Sequence, residues 1–225
     1  MGDEAKGNFA NPYGAESGAE GSGAMGAGAA ALAAKDGVVL EGGRPKKANP
    51  APLGLLGFGM TTILLNLHNE GFLELSVVIV AMGFAAGGLM QIIAGVFELK
   101  LGNTFGGTAF TAYGCFWWSL IFIWLNPFGE MDEADEMSMG YYLALWGVFT
   151  LFMFIGSLKH NRATQVVFLS LTVLFFGLAA RDFLDSELIG MVSGYVGIFC
   201  GGSAFYNAVG QILKEEYGRE LLKLG

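Results

Sequence analysis

Asn49-Pro50-Ala51-Pro52-Leu53-Gly54-Leu55-Leu56-Gly57-Phe58-Gly59-Met60-Thr61-Thr62-Ile63-Leu64-Leu65-Asn66-Leu67-His68-Asn69 is where a polar, glycine-rich segment turns abruptly into membrane-grade sequence. Two prolines set two apart fix φ and hold the preceding residues extended, so a helix is expected to start at Pro52, where a missing N–H costs nothing. Gly54, Gly57 and Gly59 would weaken a soluble helix. Inside a membrane they let a neighbouring backbone or a small solute come close.

Composition narrows the class. Hydrophobic residues make up 53% and charged residues 14% of 225 residues, with 36 glycines, and the mean hydropathy is +0.52. Such a chain is too apolar and too rich in glycine for an ordinary soluble domain, and it reads as an all-α integral membrane protein. The net charge of −8 says little about the spans, because the carboxylates sit mainly in an N-terminal segment, one acidic loop and short connections. Nucleic acid is not an expected partner. Cys115 and Cys200 fall inside apolar runs, so neither a disulfide, a metal site nor a cofactor is expected.

Residues 1–48 are dominated by Gly, Ala, Ser and Glu. They cannot bury enough surface to offset the entropy of ordering, and they are expected to form a disordered cytoplasmic tail ahead of a membrane domain at 49–225. The acidic start argues against a signal peptide, which leaves the first span as its own targeting signal.

Charge-free stretches long enough to cross about 30 Å of hydrocarbon recur six times, over 52–67, 75–97, 104–125, 141–158, 164–180 and 188–213. Short connections make neighbours antiparallel, and the first and fifth spans look short. Arg44, Lys46 and Lys47, then Lys100, then Lys159 and Arg162, then Lys214, Arg219 and Lys223 fall on one side, against Arg181 on the other. The positive-inside rule then puts both termini in the cytoplasm of a cell whose inner membrane holds the protein. The other side carries the acidic run from Glu130 to Glu136, read as a solvated loop.

The middle of each span lacks Asp, Glu, Lys and Arg, which argues against a buried carboxylate relay. What the spans offer is neutral: Thr61, Thr62 and Asn66, then Gln91, then Thr111 and Tyr113, with further Ser, Thr and Asn later. Bonding between helices is the ordinary use of such residues. Gly83 with Gly87, Gly190 with Gly194, and Gly197 with Gly201 are each four apart and clear one helix face for close approach. Trp124 suits an interface anchor, and Trp117 and Trp118 are expected against lipid or a neighbouring subunit.

Together these residues resemble the acetate uptake transporter family, the succinate/acetate permease group of bacteria, archaea and fungi. The signature is similar at Asn49, Pro50, Pro52, Leu53 and Gly54 and continues to Asn69; further similar blocks are Gly102-Asn103-Thr104-Phe105, Thr108-Ala109-Phe110-Thr111, 145–153 and 171–175. The resemblance implies six transmembrane helices per protomer, a hexamer, and one path per protomer for acetate and related monocarboxylates, with succinate in some members. It places a hydrophobic constriction at Phe58, Tyr113 and Leu171.

Acetate is a methyl group joined to a carboxylate, so a path needs an apolar surface and weak neutral donors that bind and release. Tyr113, Thr111, Asn66 and Gln91 are the expected donors, with Thr61 and Thr62 nearby. An enzyme is not expected, because His68 and His160 stand at opposite span ends and no nucleophile–base pair or ligand cluster forms. Two alternatives share these features: a pore for a neutral solute such as ammonia or undissociated acid, and a non-transporting sensor or scaffold.

Overall fold

The computed structural model describes the backbone of residues 40–41 and 44–45, and residues 47–127, 129 and 132–225. It divides into two compact units, 1–48 and 49–225. In the first, β1 (Leu40–Glu41) pairs antiparallel with β2 (Arg44–Pro45), Leu40 opposite Pro45 and Glu41 opposite Arg44. Two glycines stand between the strands in the sequence, a composition that suits a two-residue hairpin. The expectation of a disordered tail otherwise lies outside the described residues.

The second unit is six helices: α1 (Ala51–Asn69), α2 (Val77–Lys100), α3 (Thr104–Leu125), α4 (Glu136–Ser157), α5 (Arg162–Leu184) and α6 (Glu187–Tyr217). All six are long and apolar enough to cross a membrane. The fifth span is not short. It has 23 residues and carries Arg181 and Asp182 in its last turn, so the charges that ended the apolar count did not end the helix. These two pair with each other, Arg181 Nη2 to Asp182 Oδ1 at 2.6 Å, which offsets the cost of holding them near the membrane.

Local chemistry sets the helix ends. α1 begins at Ala51, with Pro52 in its first turn, and Asn49 Oδ1 accepts from the Ala51 N–H at 3.1 Å. Asn103, Asp135 and Asn161 cap α3, α4 and α5 by accepting the N–H of Gly106, Ser138 and Thr164. These caps satisfy donors that a helix start leaves open. Asp135 therefore has a part in the fold that a merely solvated acidic loop would not give it. At the other ends, Asn126, Asp185 and Gly218 take left-handed conformations that stop α3, α5 and α6.

In space α1 lies between α2 and α6; α3 packs on α2, α5 on α6 and α4 on α5. The ring closes where aromatic side chains of α3 meet those of α4, with Phe116 and Trp146 5.2 Å apart edge to face and Phe116 stacked on Tyr142 at 5.8 Å. Glycines let the first four contacts form. A Cβ at Gly59 would lie 2.8 Å from the Gly201 carbonyl oxygen, one at Gly201 2.7 Å from that of Gly59, and one at Gly57 2.5 Å from that of Ala86. The backbones of α1, α2 and α6 thus touch where only hydrogen fits.

The middle of α2 is π-helical over Gly83–Met90. Trp117 is buried against Gly83 and Gly87, and Trp118 lies against Gly88, stacks on Phe84 at 5.6 Å and donates its Nε1–H to the Phe84 carbonyl at 3.0 Å. For Trp117 the expectation that it faces lipid or another subunit is corrected, whereas Trp118 is only half-buried. The small residues of α2 leave room for indole rings, and a ring gains more from that fit than from lipid. Large apolar side chains such as Val77, Leu145, Phe152 and Phe199 point outward, as a lipid-facing surface requires.

Candidate functional site

A cavity of about 280 Å³ runs inside the bundle. One end is at Asn49, Asn103, Asn161 and Gln211, the helix ends that share a side with the basic clusters; the other is at Phe58, Tyr113 and Leu171. By the same measure one water needs roughly 10–15 Å³, so a small solute fits with its hydration.

The three bulky residues come from α1, α3 and α5 and line this one cavity. Each is buried, and the rings of Phe58 and Tyr113 lie 6.2 Å apart. Around Tyr113 stand Phe149 at 5.5 Å and Trp146 and Phe168 at 6.2 and 6.3 Å. The inner end is therefore walled by packed aromatic side chains of four helices. Phe149 and Phe168 were legible as apolar residues of spans, but nothing in spacing distinguished them from lipid-facing phenylalanines.

The hydroxyl of Tyr113 donates to Thr150 Oγ1 at 3.0 Å, and Thr150 in turn donates to the Trp146 carbonyl at 2.7 Å. A hydroxyl has one hydrogen, so the direction of this chain is fixed. Gln91, fully buried, lines the cavity and donates from Nε2 to the Gly87 carbonyl at 2.6 Å. Its Oε1 has no hydrogen-bond partner among the described residues.

The other expected solute contacts are not among the cavity's lining residues. Thr61 donates to the Gly57 carbonyl at 2.7 Å and its methyl faces Gly87. Asn66 donates to the Thr62 carbonyl at 2.8 Å, accepts from Asn69 at 3.0 Å and fills the space at Gly197. Thr111 lies against Gly95 of α2, and Thr62 is buried. Thr61, Asn66 and Thr111 thus pack against neighbouring helices. Of the signature residues only Asn49 lines the cavity; Pro50 stands at the helix start, Pro52 is buried, Leu53 is exposed and Gly54 lies against the Phe110 ring.

At the mouth the signature residue Asn49 meets Gln211 and Asn207, which the sequence did not single out as site residues. Asn49 donates to Gln211 Oε1 at 2.9 Å, Gln211 to Asn207 Oδ1 at 3.0 Å, and Asn207 to Thr164 Oγ1 at 3.1 Å, a polar chain that joins α1, α6 and α5. Opposite it Glu98, buried at the end of α2, accepts from Asn103 Nδ2 at 2.7 Å, and His160 stacks on Phe105 at 4.5 Å. No Lys or Arg is among the lining residues.

Six apolar helices around a solute-sized cavity that no Lys or Arg lines define a multi-pass membrane protein with an internal cavity. The chain belongs to the GPR1/FUN34/yaaH family, whose pattern matches residues 40–218. It is 54% identical over 184 residues to the succinate-acetate/proton symporter SatP of Escherichia coli K12, covering 81% of this chain and 98% of that protein. It is 34% identical over 186 residues to acetate permease A of Emericella nidulans, covering 74% of this chain and 62% of that one. Among solved structures, the bacterial acetate channel SatP superposes with a TM-score of 0.79 at 55% identity, over 80% of this chain and all of the other.

Proposed function

We propose that this chain carries acetate and related small monocarboxylates across a membrane through the cavity of each protomer, moving the solute rather than transforming it. The observation that carries the reading is the convergence of Phe58, Tyr113 and Leu171 at the inner end of a cavity without Lys or Arg. Apolar bulk at a narrow point holds the methyl end of the solute and controls wetting, while a fixed cation would trap an anion. Family membership and the names of the relatives support acetate as the solute, and succinate as a second one.

The same reading places both termini in the cytoplasm of a cell whose inner membrane holds the protein, because the mouth of the cavity lies on the side of the basic clusters. The assembly is a hexamer, with the outward apolar surfaces shared between lipid and neighbouring subunits. Flux of labelled acetate into proteoliposomes, compared with ammonia and with a dicarboxylate larger than succinate, tests the reading. Acetate is expected to enter faster than either, and equal entry of ammonia with no protein-dependent acetate entry would overturn it.

A further inference from the structure

We propose that the groove between α5, α6 and the C-terminal segment 218–225 holds an anionic phospholipid of the leaflet that faces the basic clusters, with Arg162 and Lys223 on its phosphodiester. This goes beyond the transport reading, and the groove shares no lining residue with the solute cavity.

The groove, about 560 Å³, changes character along its length. Further into the span its walls are Val166 of α5 and Phe199 and Gly202 of α6; at its end stand Arg162, the first residue of α5, and Lys223. Val166 and Phe199 are exposed, and a Cβ at Gly202 would meet nothing within 4 Å. Phe199 and Tyr206, both on the wall, are separated along α6 by about 10 Å of helix rise. The apolar half is therefore open to the acyl region, and the charged half lies where headgroups begin.

The segment that carries Lys223 is fastened to the bundle through its backbone. The Ala163 N–H donates to the Leu224 carbonyl at 2.9 Å, the Tyr206 hydroxyl to the Lys223 carbonyl at 3.1 Å, and the Leu224 N–H to Glu220 Oε1 at 3.2 Å. Leu224 itself is buried against Gly210, and Gly225 packs on the side-chain carbons of Arg162. All of these contacts leave the Lys223 ammonium free. Neither Arg162 nor Lys223 has an ion-pair partner among the described residues, the terminal carboxylate at Gly225 included.

Two unpaired cations on the rim of an apolar groove select a ligand with one anionic end and one long apolar end. A phosphodiester supplies the first, with oxygens that accept from a guanidinium fork and an ammonium. The hydroxyls of the groove add no donor, because that of Tyr206 is spent on Lys223 and that of Ser203 on the Cys200 carbonyl at 2.7 Å. Selection among headgroups therefore rests on charge. A zwitterionic headgroup sets its own ammonium beside these cations, and a free phosphate leaves the apolar wall uncovered. An anionic phospholipid meets both ends.

The test titrates purified full-length protein in neutral detergent with dioleoylphosphatidylglycerol, with dioleoylphosphatidylcholine and with inorganic phosphate, and reads lipid bound per protomer by native mass spectrometry beside the melting temperature. Wild type is expected to retain phosphatidylglycerol and melt higher with it, and to respond to neither of the others. Arg162→Gln and Lys223→Gln are each expected to weaken retention roughly fivefold, and together about thirtyfold, with elution and lipid-free melting unchanged. Val166→Trp fills the apolar half without touching either charge and should also lower retention. Equal retention of the two lipids, undiminished retention by a folded double variant or by Val166→Trp, or a full response to inorganic phosphate overturns the inference. So does an oligomer that separates in the double variant without lipid, the sign that a second copy of the chain covers this face. If the glutamine variants do not fold, the wild-type preference between the two lipids and Val166→Trp decide. Acetate enters none of these readouts, so their failure leaves the transport reading standing.

Discussion

Tyr113 shows how a hydroxyl in a path can be structural. Its hydrogen is committed to Thr150, so Tyr113→Phe removes one buried bond and leaves the ring against Phe58. The expected cost is about 1 kcal/mol of stability, with acetate flux within about twofold of wild type because the ring still narrows the path; melting in detergent and a flux assay check both. Leu171→Ala should behave differently. Truncation enlarges an existing cavity and so costs about 2 kcal/mol, the low end for a buried leucine, while larger monocarboxylates pass more readily in competition assays. If Leu171→Ala passes acetate and larger acids in unchanged ratio, Leu171 is not at the narrow point.

Two adjacent glycines of α6 have opposite surroundings. A Cβ at Gly201 would meet the Gly59 carbonyl oxygen at 2.7 Å, whereas one at Gly202 has nothing within 4 Å. Gly201→Ala is expected to force α1 and α6 apart and to cost roughly 1–3 kcal/mol. Gly202→Ala adds helix propensity and should be neutral or stabilising by up to about 1 kcal/mol in the same melting experiment. At the start of α4 the backbone N–H of Ser138, and next its hydroxyl, holds the Asp135 carboxyl below the ordinary carboxylate range. A lowered carboxyl pKa stabilises when ionised, so this contribution is complete above the unfolded-chain value and is lost as pH falls through the lower folded value. Asp135→Ala should therefore melt below wild type at neutral pH, and the two melting curves should converge at pH values below the carboxylate range.

For the molecule as a unit, the prediction concerns residues 1–43. The transmembrane unit begins at Asn49, and the basic residues ahead of α1, which the positive-inside rule would make its orientation signal, are Arg44, Lys46 and Lys47. A chain that starts at Arg44 keeps that orientation signal and should insert, assemble and move acetate as the full chain does. Inverted topology, seen by protease protection of the C-terminus, or loss of the oligomer on gel filtration would count against it.

The chain order alone carried the number of spans, their antiparallel run, the start of α1 at its prolines and the absence of charge from the span centres, because each depends on a local count of apolar length or charge against a 30 Å slab. Family motifs singled out Phe58, Tyr113 and Leu171, which line one cavity. Which way each helix faces was not, since a helix apolar all round looks the same toward lipid as toward a partner. Packing turned Trp117 inward against Gly87, turned Thr61, Asn66 and Thr111 onto neighbouring helices, and kept Gln91 on the cavity wall. It also spent the donors of Tyr113 and one of Gln91 on other residues. Hydrogen-bond direction depends on which acceptor stands within about 3 Å, and that is fixed only when helices close around one another.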